Sequence, residues 1–90
     1  MTYGADQASY KVQEIDDVFI VFNRLSGKTH FLNFFSHEIL VLLSEEPQSE
    51  AAIGALALER LGLTDDDCPE GMAVRAVSEL EACGLVYEIS

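Results

Sequence analysis

The sequence predicts an α+β domain with a winged-helix-like layout: a three-stranded antiparallel sheet, three helices and a short terminal strand. Three observations predict it. Period-two and β-branched runs occupy the chain up to Leu32, helical spacing begins after Asn33, and Pro47, Gly62 and Gly84 stand where the three helices must stop.

Residues 1–9 read as a flexible polar arm ahead of a single domain over 10–90. Tyr10 and Val12 alternate with Lys11, Gln13 and Glu14, which predicts a half-exposed strand to Ile15. Asp16-Asp17 signals a turn. Val18 to Phe22 is an almost unbroken β-branched and aromatic run, the pattern of a well-buried strand. Leu25 to Lys28 turns the chain, with Gly27 able to take a positive φ, and Thr29 to Leu32 forms the third strand. Asn33 is a suitable N-cap for a helix over Phe34 to Glu46, with Phe35, Ile39, Leu42 and Leu43 on one face. Leu40 and Val41 widen that face, so this helix belongs in the middle of the fold.

Pro47 stops the first helix, and Ser49 is placed to cap a second over Glu50 to Leu61. There Ile53, Ala57 and Leu61 share a face with Leu56 beside them, and Gly62 ends the helix. Thr64 to Asp67 forms a loop whose carboxylates suit the positive end of the next helix dipole. Pro69 fits a first helical position, and Ala73, Val77 and Leu80 face the core of a helix ending near Cys83. Gly84 closes it, and Leu85 to Ile89 alternates as a final strand.

Composition narrows the function. A chain of 90 residues with 49% hydrophobic content folds, but has little room for an enclosed active site. Its net charge is −11, from 16 acidic and five basic residues. Phosphate and anionic membrane surfaces are held by clustered Lys and Arg, so the reading is no nucleic acid and no membrane partner. The third helix, the one a winged helix would place in a DNA groove, carries Glu70, Glu79 and Glu81 against Arg75. The N-terminal segment lacks a basic start and an apolar stretch, and the longest apolar run, Ala51 to Leu58, is shorter than a membrane span. The expectation is a cytoplasmic protein. Cys68 and Cys83 bracket one helix about 22 Å apart, too far for a disulfide.

Fragments of catalytic motifs fail on inspection. Gly27-Lys28-Thr29 matches the end of a P-loop, but Phe22 stands where the motif needs glycine. His37-Glu38 opens like a zinc-protease helix, yet Val41 replaces the second histidine. Asp65 to Asp67 lacks the alternate spacing of a calcium loop. The expectation is a protein that is not an enzyme, with no metal and no cofactor. What the layout does offer is the exposed edge of the sheet, where an extended peptide can add as a strand. The alternative is a protein–protein adaptor or small regulatory subunit without a peptide ligand, a monomer or weak dimer.

The segment from Val21 to Asn33, the apolar helix after it, the Pro47-to-Ser49 step and the closing Glu79-Leu80 with Gly84-Leu85-Val86 resemble the PqqD family. These are small peptide chaperones, also called RiPP recognition elements. The N-x-x-S-G-x-T-H-x-L-N stretch from Asn23 to Asn33 is especially similar to the stand-alone PqqD-like subgroup that accompanies HPr-kinase-related proteins. The resemblance covers roughly residues 10–89. It implies a domain that holds the leader of a ribosomally made precursor peptide as an added strand and presents it to a modifying enzyme, often a radical-SAM protein. An HPr-kinase-related protein is a further implied partner. Carried onto this chain, the receiving strand is Lys28, Thr29, His30, Phe31 and Leu32, and the helix wall is Met72, Arg75, Ala76 and Glu79. Met72 would then supply an adaptable apolar contact and Arg75 a partner for a leader carboxylate.

Overall fold

Two aspartates make the first hairpin. Asp16 and Asp17 adopt φ of 49° and 65°, the left-handed pair a tight two-residue connection requires and one that aspartate tolerates. In the computed structural model, which describes residues 1–64, 66 and 71–89, this turn joins β2 (Tyr10–Ile15) to β3 (Val18–Asn23). Strand β1 (Thr2–Gly4) precedes them, and β4 (Thr29–Leu32) follows. The order is β2-β3-β4, all antiparallel, with Tyr10 opposite Asn23 and Val21 opposite both Val12 and His30.

The turn between β3 and β4 is built by side chains. Asn23 Oδ1 accepts from the amides of Leu25 and Ser26 at 2.9 and 3.3 Å, and Ser26 Oγ accepts from the Lys28 amide at 3.2 Å. Gly27 completes it at φ 75°. Asn33 then caps α1 (Phe34–Glu45), its Oδ1 accepting from the Ser36 amide at 2.8 Å. Helix α1 is the centre of the fold, with Phe35, Ile39, Leu40 and Leu43 all but inaccessible to solvent. Glu46 is extended ahead of Pro47, as the proline ring demands of its neighbour.

Helix α2 (Glu50–Leu61) ends at Gly62 in the left-handed conformation. It buries Ile53 and Ala57 as expected, with Leu61 partly buried against the core, and adds Leu58, which the sequence did not single out. Ser49 occupies the N-cap position but makes no side-chain capping bond. Helix α3 (Met72–Ala82) buries Ala76, Val77 and Leu80, and Leu85 and Val86 fold back so that both amides donate to the Leu80 carbonyl. The expected helix start at Pro69, the loop carboxylates Asp65 and Asp67, and Cys68 lie outside the described residues.

Two expectations are corrected. Residues 1–9 do not form a flexible arm. Strand β1 runs between β5 (Gln48–Ser49) and β6 (Tyr87–Glu88) in a second antiparallel sheet, and a 3-10 turn over Gln7–Ser9 follows. Burial explains it, because Tyr3 and Ala5 enter the core and the Ala5 amide donates to the Leu43 carbonyl at 3.3 Å. Strand β3 is not buried on both faces. Val21 is fully enclosed, while Val18 and Phe22 are 40% and 41% exposed, because α1 covers only the face that carries Phe19, Val21 and Asn23.

Candidate functional site

Among the described residues, strand β4 is an edge of its sheet. In an antiparallel ladder, residues alternate between those bonded to the neighbour and those whose backbone points away. The Asn23 amide donates to the Lys28 carbonyl at 2.8 Å, so Lys28 is a bonded position, and by alternation so are His30 and Leu32. Thr29 and Phe31 therefore aim their N–H and C=O groups at the open side of β4. Their side chains lie on the outer face, and Phe31 is 71% exposed. His30 and Leu32 turn inward.

Helix α3 walls that open side. Three shallow depressions run along the seam between β4 and α3. The central one, about 500 Å³, is lined by Thr29, His30, Phe31 and Leu32 on the strand and by Glu79, Ala82 and Cys83 on the helix side. It shares Glu79 with a depression of about 250 Å³ lined by Met72, Arg75 and Ala76 together with Asn33. At the other end it shares His30, Ala82 and Cys83 with a third of about 480 Å³, which includes Lys28. All nine residues named from the sequence line this one groove. Ala76 is also core, at 5% exposed, and Met72 packs against the core from its edge.

The other edge of the sheet has no such wall. Among the described residues strand β2 is also unpaired on its outer side, but the element packed on it besides β3 is the short 3-10 turn at Gln7–Ser9 rather than a long helix, and Val12 is 38% exposed. A strand added there would gain backbone bonds alone. One added to β4 would gain a floor and a helix face as well.

Asn23 fixes the width of the groove, and the sequence did not single it out for that role. It is 2% exposed, and its Nδ2 donates to the Cys83 carbonyl at 2.9 Å, tying the β3–β4 hairpin to the end of α3. The available signal was its place in the N-x-x-S-G stretch. An asparagine that both builds a turn and reaches outside it is one that alanine cannot replace.

The electrostatics are open-ended. Arg75 is exposed and forms no ion pair among the described residues, although Glu79 lies one turn away. Its guanidinium is thus available for a carboxylate. His30 Nε2 is inaccessible and lacks a hydrogen-bond partner among the described residues. Burial pushes the Cys83 thiol up, with Glu79 adding to the shift, so it is not poised as a thiolate nucleophile. Among the described residues no three His, Cys, Asp or Glu side chains gather as a metal site. None of the described helices is long and apolar enough to cross a membrane.

Compared with known proteins, the chain matches no family model, no curated protein and no solved structure.

Proposed function

We propose that the protein is a non-catalytic, cytoplasmic peptide chaperone that holds an extended segment as a fourth strand on β4. The observation that carries this reading is the unpaired backbone of Thr29 and Phe31 facing a groove walled by α3. The added strand would exchange backbone bonds with those two residues. Its side chains would meet Met72 and Ala76, and a carboxylate near one end would pair with Arg75. The resemblance of Val21 to Asn33 to the PqqD family supports a leader of a ribosomally made precursor as the segment, and a radical-SAM or other modifying enzyme as its recipient. An HPr-kinase-related protein is the second partner that this resemblance suggests. The acidic exterior disfavours nucleic acid as the ligand.

The test is affinity capture from lysate of the source organism, with the bound material identified by mass spectrometry, using wild type and Phe31→Pro. Proline removes the outward N–H of Phe31 without breaking a bond to β3. A short peptide or a peptide-modifying enzyme held by wild type and lost from the variant is the expected result. Recovery of larger proteins alone, held equally by a folded Phe31→Pro, would favour an adaptor acting through the helices.

A further inference from the structure

The outer face of the β2-β3-β4 sheet stands apart from the rest of the surface. The pairing register places Lys11, Gln13 and Ile15 of β2, Val18, Ile20 and Phe22 of β3, and Thr29 and Phe31 of β4 on that side. Five of these are large apolar residues. Ile15, Val18, Phe22 and Phe31 are 46%, 40%, 41% and 71% exposed, and Ile20 lies half-buried at the centre. None of the residues on this face is a carboxylate, in a chain of net charge −11. A cluster of exposed apolar groups of this kind marks an interaction surface.

The charges at its two ends say what fits. At one end is the Asp16-Asp17 turn, and at the other are Lys11 and Arg24, with the strands between spanning about 17 Å. All four residues are exposed, and none forms an ion pair among the described residues. A face with acid at one end and base at the other is complementary to itself when turned end for end. We infer that the face binds a second copy of this chain, the two sheets stacked with strands antiparallel about a two-fold axis perpendicular to the strands. Asp16 and Asp17 of each copy then meet Lys11 and Arg24 of the other, and Phe22 packs against the opposite sheet. A two-fold axis along the strands would set acid on acid and base on base instead.

The size of the face sets the strength. Three strands about 4.8 Å apart and four to six residues long give a footprint of at most roughly 14 by 17 Å, below the ~800 Å² per partner of a stable complex. The dimer is therefore weak and concentration-dependent. It leaves the open edge of β4 free, so this inference does not rest on the peptide reading, and neither falls with the other.

Sedimentation of the intact protein over a concentration series, at low and high salt, tests it. The weight-average mass should climb from 9.9 kDa towards twice that value as concentration rises, and more readily at the higher salt, where the repulsion between two copies of net charge −11 is screened. Phe22→Asp should hold it at the monomer mass throughout, with the circular dichroism spectrum unchanged. Lys11→Glu combined with Arg24→Glu should do the same, and Asp16→Asn with Asp17→Asn, which keeps residues tolerant of the left-handed turn, should weaken association. A monomer at every concentration overturns the inference. So does a dimer that survives Phe22→Asp, and one lost to Phe22→Asp but indifferent to the Lys11 and Arg24 reversals overturns the antiparallel arrangement.

Discussion

The side chain of Asn23 donates from Nδ2 to the carbonyl of Cys83 at 2.9 Å, across 60 positions of sequence. The same side chain organises the β3–β4 turn through its oxygen. One buried amide thereby sets both the shape of the hairpin and its distance from α3. Asn23→Ala leaves the Cys83 carbonyl and two turn amides without their partner, and should cost roughly 2–4 kcal/mol. Urea unfolding followed by circular dichroism measures it. Asn23→Asp keeps the acceptor but sets a carboxylate against a carbonyl, so it should rescue little of that loss.

Gly84 and Gly27 share nearly the same positive φ, 74° and 75°, yet differ in their surroundings. A Cβ on Gly27 would meet open space, whereas one on Gly84 would lie 3.1 Å from Asn23 Nδ2. Gly27→Ala should cost about 1 kcal/mol from conformation alone. Gly84→Ala should cost more, about 2 kcal/mol, because it also presses on the Asn23 staple. Equal losses in urea would show that the staple yields freely.

His37 stacks on Phe19 with ring centroids 3.8 Å apart and planes 5° from parallel. Burial lowers its pKa, partly opposed by Glu38 and Glu14. A histidine whose folded pKa lies below its unfolded one favours folding only while neutral. Its penalty is absent above the unfolded value of about 6.5 and grows as pH falls from there towards the folded pKa. The stability of wild type relative to His37→Gln should therefore decline as pH falls below about 6.5, measured by urea midpoints at matched ionic strength. A constant difference across that range would contradict the shift.

Arg60 grips Glu45 with both terminal nitrogens, at 3.0 and 2.9 Å, and reaches Glu38 with Nε at 3.4 Å, joining α2 to α1. These hydrogen bonds hold the Glu45 carboxyl below its usual range. The pair is solvent-exposed, so Arg60→Lys, which loses the fork, should lower the melting temperature only slightly, and less in high salt. Thermal melts at two salt concentrations check both statements.

Local chemistry was legible in the sequence wherever it was self-contained. Gly27, Gly62, Asn33 and the Asp16-Asp17 pair each do the job their type predicts, since turns and caps are settled within a few residues. The second sheet was not legible. Strands β1 and β5 have three and two residues, too few for a period, and the final strand, legible over Leu85 to Ile89, shortens to Tyr87–Glu88 and pairs with β1 across most of the chain. The run Val18 to Phe22 misled for a related reason. An unbroken apolar strand signals two covered faces, and whether the outer face of β3 is covered depends on elements the strand itself cannot encode. For the groove, β4 and the α3 face were readable as separate pieces. The bond from Asn23 that holds them side by side was not, because nothing local marks Cys83 as its acceptor.

Backbone amide exchange along β4 tests the strand-addition account most directly. In the free protein, the amides of His30 and Leu32 should be protected by β3, while those of Thr29 and Phe31 exchange quickly. With the peptide recovered by affinity capture added in excess, Thr29 and Phe31 should become protected as well. Binding of that peptide with Thr29 and Phe31 exchanging as fast as before would contradict strand addition on β4.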